Sequence, residues 1–200
     1  QMRFMEDLRM DDDPRIPMAG TLAKLVGAMV IYYAMLEHWI DGMVFCIHDC
    51  VDGARNVRKQ HPYNAKDEID FLRRSFETLP QLAQYKNEGL ALLSQIEKAA
   101  DLRHNIVHGH IRKMQWNSGT MEFSRKFKGD KGQPVRRTLT IQAEELFARG
   151  REVLALVQPT MDLTHRLIAK FDPAYKLEAA KGILGWSLSD VVPVVMKIND

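Results

Sequence analysis

Cysteine is scarce: two residues in 200, Cys46 and Cys50, four apart in FCIHDCV. On a helix they share a face without an obvious third metal ligand, so they read as reduced core thiols and point to a cytoplasmic setting. Also lacking is an unbroken apolar run of the roughly 18 to 20 residues that a membrane-spanning helix needs, so no membrane is expected. No secretory leader is apparent either, because the chain opens with mixed charges and an acidic run at Asp11–Asp13. Internal repeats and low-complexity stretches are missing. Nor does one sign of charge dominate, with 28 Lys and Arg against 26 Asp and Glu and a net +2. An ordinary apolar fraction then excludes global disorder and suits one domain with a substantial core.

What is present is helical patterning. Pro14 and Pro17 delay the first helix to about residue 21. From there Leu22, Leu25, Val26, Met29, Tyr33, Leu36, Ile40 and Val44 recur at spacings of three and four. A helix over 21–52 would span about 48 Å, a length suited to a bundle. After the polar linker DGARNVRKQHPYN, Asn64 caps KDEIDFLRRSFETL, whose stripe is Ile69, Leu72, Phe76 and Leu79. Pro80 ends or kinks it. A third helix runs from about Pro80 to His108, with Gly89 a weak point and Gly109 a stop.

Between Ile111 and Ile141 the period shortens to two, and NSG and KGDKGQP supply turns, which predicts two or three antiparallel strands. A last helix follows over 143–170, with Leu146, Val153, Val157, Met161, Thr164 and Ile168 inward and a kink at Pro159. The expected organisation is a polar segment at 1–20, a helical body at 21–170 with a β insertion at 111–141, and an apolar tail at 171–200. The tail is expected to pack on the body or on a second subunit.

Charge is unevenly placed along this chain. From Arg103 to Arg137 nine Lys or Arg (103, 112, 113, 125, 126, 128, 131, 136, 137) face only Glu122 and Asp130, a local excess of seven. Such a bias is a footprint of polyanion binding and also occurs on solvated loops.

The stretch DLRHNIVHGH, Asp101–His110, closes the third helix. On a wheel of about 100° per residue, Leu92, Ile96, Ala99, Ile106 and Val107 form the inward stripe, and Arg103 lands in its middle. A guanidinium there is costly unless paired. It is read as a structural partner of Glu37 or Asp41, as an anion ligand, or as part of a catalytic site. His104 and His108 have the spacing of a helical zinc pair, but Arg103 beside them and the want of a carboxylate argue against metal. His110 reads as solvated. At the helix end His108 is placed to exchange protons near neutral pH, where an unperturbed imidazole titrates.

Arg103-His104-Asn105-Ile106-Val107-His108 resembles the R-x4-6-H signature of HEPN domains, in which a polar residue usually follows the arginine. The likeness extends loosely to the first helix and to KDEIDFLRRSF. It implies an all-α, up-and-down bundle of HEPN type carrying the β insertion, usually as a homodimer whose motifs meet across a cleft. It further implies a metal-independent endoribonuclease without cofactor, a toxin or defence effector. Regulation by an antitoxin or a nucleotidyltransferase partner would fit that role. By that resemblance His108 is the general base or acid and Arg103 stabilises the charged transition state. His104 or Asn105 orients the scissile phosphate. Arg112 and Lys113 begin the basic stretch that holds RNA, with Trp116, Phe123 or Phe127 either stacking bases or packing the hairpin. Arg103 and His108 lie about 140° apart on one wheel, so they act within one chain or across a dimer. A catalytically silent module binding RNA or a nucleotide, and a helical protein-interaction domain, are the alternatives.

Overall fold

The computed structural model describes residues 15–107, 109–115, 118–128 and 132–172, with the backbone alone at 15–19, 101, 103–105, 107, 127 and 128. The terminal segments expected at 1–14 and in the apolar tail beyond 172 therefore lie outside the described residues. In chain order the elements are α1 (Arg15–Cys50), α2 (Ala54–Val57), α3 (Ala65–Thr78), a 3-10 helix (Pro80–Tyr85) and α4 (Lys86–Val107). Then come β1 (His110–Gln115), β2 (Thr120–Lys128), β3 (Pro134–Gln142) and α5 (Ala143–Phe171). The described chain is thus mostly helical with a small three-stranded antiparallel sheet.

The described residues form two compact units, one of residues 15–31 and 99–152, the other of residues 32–98 and 153–172. Their boundaries fall inside α1, α4 and α5. In the first unit Leu22, Met29, Ile106, Met121, Phe123, Ile141 and Leu146 are buried. In the second the core includes Leu36, Met43, Ile47, Phe71, Leu72, Phe76, Leu82 and Leu93. Each such large side chain, fully withdrawn from water, contributes about 1.5–3 kcal/mol.

Several sequence expectations need correction. α1 begins at Arg15 rather than near residue 21. Pro17 does not delay it, because the first turn has no use for the missing N–H. Over Gly20–Cys50 this helix is long and apolar enough, by length and composition, to cross a membrane, contrary to the expectation that no stretch is. Its few charges are scattered, so they lower the average little, and Leu22, Met29, Tyr33, Leu36, Ile40 and Val44 are buried as the spacing predicted.

In the expected linker, Gly53 turns the chain at φ +84°, a left-handed value that favours glycine, and a single helical turn, α2, follows. Asn64 caps α3 as read: its side-chain oxygen accepts from the Asp67 N–H at 3.0 Å, with Asp67 and Glu68 in the favourable first turn. The expected α3 stripe is buried, joined by Phe71 and Ser75.

The third helix does not start at Pro80. A 3-10 helix intervenes to Tyr85 before α4. Gly89 is no weak point but a packing requirement, since a Cβ there would come within 2.7 Å of the buried Phe76 ring.

α5 runs unbroken through Pro159, and Thr160 Oγ1 donates to the Leu156 carbonyl at 2.6 Å. Of its predicted stripe Leu146, Val153, Val157 and Thr164 are buried, joined by Leu156, Thr160, Leu163 and Leu167, while Met161 and Ile168 are half-buried at the edge. Thr164 explains why a polar residue tolerates the interior: its hydroxyl donates to the Thr160 carbonyl at 2.8 Å and reaches the Trp39 carbonyl of α1 at 3.1 Å.

Candidate nucleic-acid interface

α4 ends at Val107 and β1 starts at His110, so two residues separate helix from sheet. Gly109 sits at that junction, where the motif's helix was expected to stop. Arg103, His104 and Asn105 lie in the last turns of α4, with the backbone alone described, and His108 lies outside the described residues. The proposed pairing of Arg103 with Glu37 or Asp41 therefore falls outside the described side chains as well. Ile106, between them, is buried as its place on the stripe required.

The three strands form a meander in the order β1-β2-β3, both pairs antiparallel. Alternation gives the sheet two unlike faces. Met121 opposes Met114 on one side and Ile141 on the other, and Phe123 opposes Leu139, which makes an apolar face. Thr120, Glu122, Ser124 and Lys126 point the opposite way, beside Gln142, Thr140, Thr138 and Arg136 of β3. Phe123 is 2% exposed, so it packs the hairpin and is not available to stack on a base. Trp116 lies outside the described residues, as does the Phe127 side chain.

Arg112 occupies a β-bulge. The register shifts between Ile111, opposite Phe123, and Lys113, opposite Glu122, which leaves Arg112 as the extra residue. Its guanidinium lies 3.6 Å from the Glu122 carboxylate, and Lys113 opposes the same acid across the strands. Both predicted binding residues are exposed, as is His110. At this end of the sheet, then, an acid offsets the cations.

The other end differs. Arg125 stands opposite Arg137, and Lys126 opposite Arg136, at consecutive register positions. Neighbouring positions point to opposite faces, so cations occupy both sides of the β2–β3 ribbon there. No acidic residue follows Glu122 in β2, and β3 has none. Like charges directly opposite one another destabilise a hairpin, so folding alone does not favour this register. Sequence counting found the basic excess but not this pairing. The basic clusters in SRKFK and PVRR on either side of the turn are the sequence signal for a cationic ribbon end, without its register.

A second cluster gathers carboxyls rather than cations. Glu68, in the first turn of α3, is pushed up to about 7, first by burial, then by the negative charges of Asp41 and Glu37 on α1. A hydrogen bond to Asp41 also favours its neutral form. Among the described residues no group of three His, Cys, Asp or Glu is arranged to hold a metal ion.

Compared with known protein families, curated proteins and solved structures, the chain has no match in any of the three.

Proposed function

We propose that this chain is an RNA-binding endonuclease of HEPN type, with the β2–β3 ribbon as the surface that holds the RNA backbone. The observation that carries the reading is the register that sets Arg125 against Arg137 and Lys126 against Arg136. A polyanion lying along one face of the ribbon meets the cations of that face, and Lys and Arg contacts release the counterions that phosphate otherwise condenses.

The chemistry rests on the resemblance of Arg103 to His108 to the R-x4-6-H signature. The ribose 2′-hydroxyl attacks the adjacent phosphorus and the bond to the 5′-oxygen breaks. The products carry a 2′,3′-cyclic phosphate and a 5′-hydroxyl. His108 transfers the proton as general base or acid, while Arg103 donates hydrogen bonds to the phosphorane-like oxygens. His104 or Asn105 orients the scissile phosphate. In this reading the bundle is a homodimer that joins two motifs across a cleft, acts in the cytoplasm, and is restrained by a partner such as an antitoxin or a nucleotidyltransferase.

Incubating the purified chain with RNA in excess chelator tests this. The expected result is cleavage with cyclic phosphate ends, abolished by Arg103→Ala and by His108→Ala while the far-ultraviolet circular dichroism is kept. Cleavage indifferent to both substitutions overturns the nuclease assignment. The ribbon's register concerns binding and not cutting, and it favours one second reading. A silent RNA-binding module would retain RNA through the ribbon and release no products at any protein concentration.

A further inference from the structure

His48 on α1 and His61 in the segment joining α2 to α3 meet away from the motif, and no step above uses them. His48 is 6% exposed and packs against Phe71 at a centroid distance of 5.8 Å. Its Nδ1 lies 2.8 Å from Asp49 Oδ1, and the His61 Nδ1 lies 2.9 Å from the Pro62 carbonyl. A backbone carbonyl and a carboxylate oxygen both act as acceptors. Both Nδ1 atoms therefore donate, which leaves each neutral ring a bare lone pair on Nε2. Both Nε2 atoms are buried and have no hydrogen-bond partner.

That combination is the usual outfit of metal-ligating imidazoles, whose second nitrogen donates to a carboxylate or a backbone carbonyl. The two ring centroids are 5.2 Å apart with planes inclined at 64°. Two imidazoles bound to one tetrahedral ion, at about 2.0–2.1 Å from nitrogen to metal, put their centroids about 5 Å apart. Edge-to-face ring packing shows the same separation, but it supplies nothing to either lone pair.

We propose that His48 and His61 hold a divalent transition-metal ion between their Nε2 atoms. Imidazole pairs select zinc, copper or nickel over the hard ions, which need oxygen ligands. The remaining coordination positions go to water, because no third protein ligand completes a set among the described residues. An ion held by two side chains is exchangeable rather than structural. The His61 ring is half-buried, with the exposed Phe45 and Tyr63 rings beside it.

Calorimetric titration of Zn2+ into the full chain is the test. One equivalent is expected to bind to the wild type. His61→Gln, a change in a loop, removes it. Asp49→Asn weakens it about 10- to 100-fold by releasing the His48 ring. His38→Gln keeps it. Melting of His61→Gln without zinc, unchanged from the wild type, separates lost ligation from lost folding. Absence of binding heat in the wild type, as when water alone bridges the rings, overturns the proposal. Full affinity in His61→Gln, as for an ion at His104 and His108, overturns it equally.

Discussion

Arg125 on β2 stands directly opposite Arg137 on β3, and the next register position sets Lys126 against Arg136. The strands place four cations within one ribbon end and provide no acid to separate them. Two predictions of opposite sign come from that arrangement. In the double variant Arg136→Gln, Arg137→Gln, RNA binding weakens and the slope of log affinity against log salt falls by about 1.4, at roughly 0.7 per lost single-strand phosphate contact. Stability moves the other way, rising by roughly 0.2–1 kcal/mol for each relieved pair. Filter binding over a salt series and urea denaturation read the two effects. An unchanged slope would remove the ribbon from the RNA contact.

Glu68 predicts a pH dependence of folding. Its carboxyl titrates at about 7 in the folded chain against an ordinary 4.5, so the folded state binds this proton more tightly. The contribution is complete below about 4.5 and is lost as pH rises through 7. Glu68→Gln keeps a neutral side chain throughout. The variant should match the wild type near about pH 4 and exceed it near about pH 8, modestly, because water still screens a half-exposed group. Equal denaturation midpoints for the two proteins at the higher pH would contradict this.

Gly89 sets a packing limit on α4. An added Cβ would come 2.7–2.8 Å from three of the Phe76 ring carbons, and that ring is packed in the core at 1% exposed. Overpacking costs about 1–3 kcal/mol, against roughly 1 kcal/mol gained in helix propensity. Gly89→Ala should therefore lose up to about 2 kcal/mol by urea denaturation. A stabilised variant would show that the contact is soft.

Asn64 caps the helix that carries Glu68. With its oxygen 3.0 Å from the Asp67 N–H, Asn64→Ala should cost about 0.5–2 kcal/mol. Asn64→Asp, which keeps the acceptor, should restore most of the loss. If both variants melt alike, the cap is not what starts α3.

Much of the architecture was legible in the residues. The α1 stripe, the Asn64 cap, Pro80 as a boundary and two or three antiparallel strands over 111–141 follow from period and turn chemistry, and the structure has three, over 110–142. The departures sit where surroundings override a residue's usual effect. Pro17 is no barrier, because a first turn tolerates it. Gly89 is no weakness, because Phe76 occupies the space a side chain would need. Most of the α5 stripe follows from its spacing, and Thr160 joins that interior because its hydroxyl donates to the Leu156 carbonyl.

Sequence alone determined the helical class, the position of the strands and the basic excess from Arg103 to Arg137. These depend on local periodicity and on counting, which a linear chain displays. The R-x4-6-H resemblance at Arg103 to His108 is likewise a property of the string. Tertiary structure decided what stands opposite what. A register shift of one residue between β2 and β3 would have separated Arg125 from Arg137. It also brought His48 to His61, thirteen residues away across a turn and a one-turn helix, with both Nε2 atoms buried. Contacts of that kind arise from packing between elements, and spacing along the chain carries no trace of them.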